Sequence, residues 1–260
     1  MQIKDKVVVV TGAASGIGAA LARRFHQEGA GALVAADLDG NGAEQIAQEI
    51  GGLGLQTDVA VEDDIVRLVR EAEKQFGPID LFCSNAGVAY NDEPGGTAAS
   101  CSNENWQKAW EINVMAHVYA ARAVLPGMID RGAGYLLNTV SAAGLLNQIG
   151  SASYSTTKHA AIGFAESLAI THGDDGIKVS VICPQAVATP MLGDFDEGGP
   201  QGVDGIIKPE AVADSVIEGL ERESFLILPH ERVGLYMQRK ISDYDRWLSG
   251  MRRLRRSFAA

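Results

Sequence analysis

Apolar runs of strand length alternate along the chain with longer segments of helical period, the pattern that a parallel sheet covered on both faces requires. Val7 to Val10 is an unbroken β-branched run and predicts a first strand buried on both sides. A Gly-rich turn follows, then a helix over Ile17 to Glu28. Further strands are expected at Gly31 to Asp37, Leu53 to Asp58, Ile79 to Ser84, Tyr135 to Val140 and Lys178 to Cys183. Between them the period predicts helices over Gly42 to Ile50, Glu62 to Phe76, Glu104 to Met128 and Tyr154 to Thr171. The stretch from Pro184 to Lys208 is rich in Gly, Pro and Asp and reads as a long loop, with 185–208 the expected lid. Pro209 opens a short helix, and Phe225 to Leu228 is a last strand. No repeat or linker divides the chain, so residues 1–260 form one doubly wound α/β domain with about seven parallel strands.

Past His230 the character changes. Met237, Ile241, Tyr244, Leu248 and Met251 are spaced by four, three, four and three and share one helical face. Residues 230–260 carry eight basic and three acidic side chains, a local charge of +5. This C-terminal extension either covers the substrate pocket or a neighbouring subunit, or packs on its own domain with a solvated basic end.

Composition narrows the function. With 22 Lys and Arg against 33 Asp and Glu the net charge is −11, which argues against a nucleic-acid binder, since that needs a basic face to displace phosphate counterions. No apolar run reaches the roughly 18 residues of a membrane span, and the opening MQIKDKVVVV is too short and wrongly flanked for a signal peptide. Membrane attachment through Arg252, Arg253, Arg255 and Arg256 is not expected. Cys83, Cys101 and Cys183 are widely spaced, with no CxxC pair, so neither a disulfide framework nor a zinc site is indicated. A reduced, cytoplasmic setting follows. Cys83 and Cys183 read as small core residues, and Cys101 as a loop thiol without a neighbouring base. His26, His117, His159 and His172 lie on helices without metal-ligand partners and read as solvated or capping.

Three groups of residues carry candidate chemistry. Thr11-Gly12-Ala13-Ala14-Ser15-Gly16-Ile17-Gly18 sits between a buried strand and a helix. Its glycines let the backbone turn sharply and approach a pyrophosphate, whose charge the helix N-terminus favours. The spacing is GxxxGxG and not GxGxxG, so its force comes from its place after the first strand. Asp37 ends strand two, nineteen residues after Gly18. A carboxylate there accepts hydrogen bonds from the adenosine ribose and repels a 2′-phosphate, unless it merely caps the following turn. Ser15, Ala36 and Leu38 supply no cation, so the cofactor expected is NAD and not NADP. Finally, Tyr154 and Lys158 lie one turn apart on a helix. A phenol is a poor base at neutral pH, and a neighbouring cation stabilises its phenolate, which makes Tyr154 a general acid/base for a carbonyl or carbinol oxygen. YxxxK alone also occurs on ordinary helix surfaces, but Ser141, thirteen residues upstream and just beyond strand five, is placed to hold the same oxygen.

Thr11 to Gly18, Asn85-Ala86-Gly87, Asn113, Ser141 and Tyr154-Ser155-Thr156-Thr157-Lys158 together resemble the short-chain dehydrogenase/reductase family in its form of about 250 residues, over about residues 4 to 229. That resemblance implies a Rossmann-type fold and further roles. Gly12, Ser15, Gly16, Ile17 and Gly18 would meet the cofactor phosphates. Asn85, Ala86 and Gly87 would support the sheet and flank the cofactor, and Asp58 with Val59 would meet adenine. Asn113 would hold, through its backbone, a water in a proton relay with Lys158, and Lys158 would bind the nicotinamide ribose. Pro184, Val187 and Thr189 would meet the nicotinamide, although Gln185 stands where the family has glycine.

The expected reaction is reversible hydride transfer between NAD and a secondary alcohol or ketone, with Tyr154 exchanging the proton and Ser141 steadying the oxygen. Ala142, Ala143, Leu145 and Leu146, with Met191, Leu192 and Phe195 in the lid, predict an apolar pocket and a neutral hydrophobic substrate. Asp194, Asp196, Glu197 and Asp204 in the lid offer no clamp for an anion. The competing readings are an NAD-sensing protein without catalysis and a 3-oxoacyl reductase acting on a carrier protein. The family resemblance further implies a homotetramer, or a homodimer, built on the two long helices, where Ala160, Ala161, Phe164 and Leu168 fit either a partner or the chain's own core.

Overall fold

The computed structural model describes residues 1–192 and 199–258, so Asp194, Phe195, Asp196 and Glu197 of the expected lid lie outside the described residues. Strands β1 (Val7–Thr11), β2 (Ala32–Asp37), β3 (Leu53–Gln56), β4 (Leu81–Ser84), β5 (Gly134–Thr139), β6 (Ile177–Ile182) and β7 (Leu226–Ile227) form one parallel sheet in the order β3-β2-β1-β4-β5-β6-β7. Helices α1 (Gly16–Gln27), α2 (Gly40–Ile50), α3 (Glu62–Phe76), α4 (Asn103–Trp110), α5 (Ala116–Asp130), α6 (Ala152–His172) and α7 (Pro209–Glu221) cover its faces. This is the Rossmann-type architecture expected of the sequence. The topology reverses between β1 and β4, which opens a crevice at their carboxyl ends, the usual ligand position in such sheets.

Alternation along β1 divides the core. Val8 and Val10 pack with Leu21 and Phe25 of α1 and Val216 and Leu220 of α7 on one face. Val9 packs with Leu68, Phe82, Val124 and Ala165 on the other, where α3, α5 and α6 lie. Each such side chain removed from water contributes roughly 1.5–3 kcal/mol. In α3 the buried residues Ile65, Leu68, Val69 and Ala72 follow the helical spacing read from the sequence, and three acidic residues begin its first turn, where the helix dipole favours them.

Two helices depart from expectation. The long helix predicted over Glu104 to Met128 is broken into α4 and α5 by a π-helical turn, Glu111–Met115, which carries Asn113. Within the combined run Asn103–Asp130, an 18-residue window has, by length and composition only, the apolarity to cross a membrane. Here α5 packs on α3, β4 and β5. The single C-terminal helix is two: α8 (Arg232–Ser242) and α9 (Tyr244–Ser257). Asp243 is extended between them, and its Oδ1 accepts the Arg246 N–H at 2.9 Å, capping α9. The five-residue apolar face therefore does not act as one stripe: Ile241, Tyr244 and Leu248 are exposed, while Met251 lines the crevice. On α6, Ala161 and Leu168 belong to the chain's own core.

Candidate active site

A cavity of about 1340 Å³ runs along the carboxyl ends of the strands. One end is the turn from β1 to α1. Gly12 and Gly16 adopt left-handed φ of +65° and +53°, conformations that cost a residue with a Cβ. The first turn of α1 has no side-chain cap and no acidic residue, so its free N–H groups and positive dipole end face the cavity at Ser15, Gly16 and Ile17. α2 and α9, by contrast, are capped by Asp39 and Asp243. An uncapped helix start of this kind fits a pyrophosphate. Gly18 does not reach the wall. A Cβ there would meet the Gly12 carbonyl oxygen at 2.0 Å, so this glycine lets α1 pack against the turn.

The Asn85-Ala86-Gly87 segment braces that turn from β4. Asn85 Nδ2 donates to the carbonyls of Thr11 (3.0 Å) and Gly12 (3.3 Å), its Oδ1 accepts from Thr139 Oγ1 at 3.0 Å, and Thr11 Oγ1 accepts the Asn85 N–H at 3.0 Å. All three residues line the cavity, as do Asp37, Asp58 and Val59. Asp37 Oδ2 accepts the Ala14 N–H at 2.9 Å and Oδ1 the Asp39 N–H at 3.0 Å. The carboxylate thus does cap its own turn, and each oxygen retains a lone pair for a ligand hydroxyl. Asp58 Oδ1 is tied to the Ala60 N–H at 3.0 Å.

Ser141, Tyr154 and Lys158 meet midway along the cavity. Ser141 follows β5, and its Oγ accepts the Ala143 N–H at 3.0 Å. Tyr154 and Lys158 come from the first two turns of α6, with the ammonium 5.5 Å from the phenol ring centroid. Burial pushes the Tyr154 phenol above its ordinary range, and the hydrogen bond with Ser141 pulls against that shift. The same burial lowers Lys158 to about 8, with the Cys183 thiol opposing it. In the protein alone, desolvation therefore sets the direction at Tyr154, opposite to the lowering by the lysine that the sequence suggested. Lys158 Nζ donates to the Thr139 carbonyl at 3.1 Å.

Asn113 lies behind this group and off the cavity wall. Its side chain bonds both backbone groups of Val88 (2.9 and 3.0 Å) and Thr157 Oγ1 (3.1 Å). Gly87 makes room for it: a Cβ there would lie 3.3 Å from Asn113 Oδ1 and 3.4 Å from Lys158 Nζ. His117, one turn beyond, was expected to be solvated or capping. Instead it is fully buried, with neither ring nitrogen hydrogen-bonded, and burial followed by the Lys158 charge lowers it to about 3. His172 pairs with Asp175, and His159 Nδ1 lies 2.8 Å from the Ser155 carbonyl oxygen. Cys83 and Cys183 are buried as expected, and Cys101 is buried too, 3.8 Å from Ser153 Oγ.

Beyond β6, Pro184, Val187 and Thr189 line the cavity. The Ala188 N–H donates to Ile207 and the Ile207 N–H to Ala186, which leaves the N–H and C=O of Val187 turned away from that pairing. Gln185, at the family's glycine position, donates its N–H to His230 Nδ1 at 3.2 Å. Of the substrate residues named from sequence, Ala143, Met191 and Leu192 are on the wall. Leu145 is not: it packs against the core, and Leu146 takes the wall position, because a 3₁₀ turn over Ala142–Gly144 redirects the chain.

The C-terminal helices supply an outer wall that sequence reasoning did not resolve into residues. Buried Lys240 of α8 donates to the carbonyls of Leu145 (2.8 Å) and Leu146 (2.9 Å) beneath the rings of Tyr244 and Trp247. Asp204 of the lid accepts from Arg232 and from Tyr236, each at 2.9 Å. Burial raises the Asp204 carboxyl, but its bonds to Arg232, Tyr236 and Gln185 outweigh that and hold it below the usual range. No local pattern announces these long-range ties, although a lysine one and two turns from Tyr244 and Trp247 was a legible hint.

Comparison with known proteins agrees with this geometry. The family model for short chain dehydrogenases matches residues 6–199. A 1-deoxy-11-beta-hydroxypentalenate dehydrogenase of Streptomyces exfoliatus is 34% identical over 96% of this chain and 92% of its own. A cis-4-hydroxycyclohexanecarboxylate dehydrogenase of Sinomonas cyclohexanicum is 31% identical over 82% of this chain and 88% of its own. Among solved structures, a short chain dehydrogenase/reductase of Burkholderia phymatum in complex with NAD superposes with a TM-score of 0.84 at 24% identity, covering 94% of this chain and 96% of that one. The matched motifs and the sheet that positions them place the chain in the short-chain dehydrogenase/reductase family, whose members here are named dehydrogenases of hydroxyl-bearing substrates.

Proposed function

We propose that the protein oxidises a secondary alcohol on a mainly apolar skeleton to the ketone, and reverses that reaction, with NAD as partner. The observation that carries this reading is the meeting of Ser141, Tyr154 and Lys158 in a cavity that also opens on the uncapped start of α1 and on Asp37. NAD⁺, once held by the residues named below, would supply the hydride acceptor that turns the carbinol carbon into a carbonyl carbon. Tyr154 takes the hydroxyl proton as the C–O double bond forms, and Ser141 donates a hydrogen bond to the same oxygen. Lys158, held by the Thr139 carbonyl, keeps a positive charge against the Tyr154 ring, which favours the phenolate required of a base. Asn113 fixes the backbone between α6 and the Gly87 segment, so the lysine cannot drift. Ser15, Gly16 and Ile17 would hold the phosphates, Asp37 the adenosine ribose, Asp58 and Val59 the adenine, and Val187 and Thr189 the carboxamide. Asp37 favours NAD over NADP by repelling a 2′-phosphate.

The test is NADH formation by purified protein across secondary alcohols, including cyclohexanol, 4-hydroxycyclohexanecarboxylate and its methyl ester. Turnover that disappears in Tyr154→Phe supports the reading; NAD⁺ binding without turnover of any alcohol or reduction of any ketone refutes it. We infer further that the chain assembles as a homotetramer through α5 and α6, in keeping with Ile170 of α6 standing 84% exposed. A stable monomer in light scattering overturns this.

A further inference from the structure

The outer end of the cavity is cationic. Arg239 of α8 and Arg246 and Arg253 of α9 line it, the last two on one face of α9 because seven residues bring a helix back to within about 20°. Elsewhere Arg23, Arg24, Arg67, Arg70, Arg122, Arg222 and Arg232 each hold an acidic side chain. Among the described residues these three do not. Arg239 rests over the Tyr236 ring at 6.0 Å, and Arg253 reaches only Ser249 Oγ at 3.4 Å. Asp243, the acidic wall residue of this end, has its carboxylate turned to the Arg246 backbone N–H as a helix cap. Three arginines without an acidic partner among the described residues thus line one cavity in a chain of net charge −11. A planar guanidinium fork is matched by a carboxylate, which it binds through paired hydrogen bonds.

We propose that the substrate is a hydroxy acid: an apolar skeleton whose hydroxyl meets Tyr154 and Ser141 and whose carboxylate is held at the cavity mouth by Arg239, Arg246 and Arg253. This rests on the dehydrogenase reading above and departs from the neutral substrate that the sequence suggested, because that expectation was drawn from the apolar pocket residues and the lid acids and did not weigh the arginines of the C-terminal extension. Lys240 makes the arrangement possible by anchoring α8 to the carbonyls of Leu145 and Leu146, close behind Ser141. The anion is thereby kept on the same wall as the reacting oxygen.

The experiment compares each hydroxy acid with its methyl ester, beginning with 4-hydroxycyclohexanecarboxylate, in the full chain and in Arg246→Gln, Arg253→Gln and Arg239→Gln. The expected result is kcat/KM at least about tenfold higher for the acid than for the ester in wild type, falling by about fivefold to tenfold per substitution for the acid alone, with NAD⁺ affinity unchanged. In parallel, cyclohexanecarboxylate and its methyl ester are titrated calorimetrically into the NAD⁺-saturated protein, where carboxylate binding should be lost in Arg246→Gln. Equal handling of acid and ester by the wild type overturns the proposal. So does an equal loss for both, which would assign the arginines a structural role, and so does a loss confined to NAD⁺ affinity, which would assign them to the cofactor phosphates. If no alcohol is turned over, the dehydrogenase reading fails separately, and the calorimetric comparison alone decides the anion site.

Discussion

Replacing Asp37 with alanine is expected to collapse the preference for NAD over NADP, and the structure sets the size of the effect. The carboxylate is not free to swing away from a ligand, since Ala14 and Asp39 each donate a backbone N–H to it. Two unit charges about 4 Å apart repel by about 1 kcal/mol in water and about 4 kcal/mol near a protein surface. A 2′-phosphate of roughly two charges beside this half-buried carboxylate is therefore disfavoured by at least about 2 kcal/mol. The ribose hydrogen bonds that NADP forgoes add about 1.5–3 kcal/mol, since their acceptor is charged. Together these give a preference for NAD of a few hundredfold to a few thousandfold, each 1.4 kcal/mol being about tenfold. In Asp37→Ala the ribose bonds and the repulsion both vanish, and the freed Ala14 N–H becomes a donor for the phosphate. NAD should lose about tenfold in kcat/KM while NADP gains. Adding Leu38→Arg, at a wall residue 64% exposed, should carry the ratio further by pairing with the phosphate. The assay is kcat/KM for both cofactors in wild type and the two variants. Equal use of both cofactors by the wild type, or an unchanged ratio in Asp37→Ala, refutes the reasoning.

Tyr154→Phe should remove turnover by a factor of at least about 10² while NAD⁺ titration stays near wild type, since only the hydroxyl is deleted. Lys158 is lowered from 10.5 to about 8 in the fold, so the unfolded chain binds the extra proton between those values and this group adds stability as pH rises through that window. Urea melts at pH 7.5 and 9.5 should show the wild type gaining roughly 1–2 kcal/mol relative to Lys158→Met; no relative gain contradicts the assigned burial. His117 has the same sign at lower pH: lowered to about 3, it is uncharged in the fold while the unfolded chain takes up a proton below 6.5, so stability is lost as pH falls from 6.5 toward 3. His117→Leu should blunt that acid loss and raise Tm at neutral pH, because it removes two unpartnered buried nitrogens. Lys240→Met should raise KM for the alcohol severalfold with NAD⁺ affinity unmoved, and a matched change in both would deny α8 its place on the substrate side.

The parts legible in the sequence are those whose cause is local. The β-branched run of β1, the turn to Gly18 and the one-turn spacing of Tyr154 and Lys158 each state their geometry within a few residues. What escaped depends on contacts far along the chain or on a change of helical register. Helical periodicity runs straight through Glu111–Met115, so the π turn at Asn113 was invisible, as was the rotation that aims His117 inward. The spacing from Met237 to Met251 likewise passes over Asp243, whose extended backbone and capping side chain split α8 from α9. Leu145 and Leu146 are equally apolar, and only the 3₁₀ turn decides which faces the cavity. Asp204, read from sequence only as one of the lid acids that clamp no anion, has its partners twenty-eight and thirty-two residues away in Arg232 and Tyr236.

The anchoring of α8 by Lys240 bears on how such a chain can diverge. Ser141, Tyr154, Lys158 and the expected cofactor contacts all precede residue 190, whereas the wall contributed by α8 and α9 begins at Tyr236, past the end of the family match. The two regions join through a lysine that grips main-chain carbonyls, which every sequence possesses whatever its side chains. Substitutions and length changes in α9 can therefore accumulate with little effect on the frame that moves the hydride. The tail behaves as an interchangeable fitting, and grafting a different pair of helices onto the same lysine anchor offers a route to altered substrate choice that leaves the redox machinery in place.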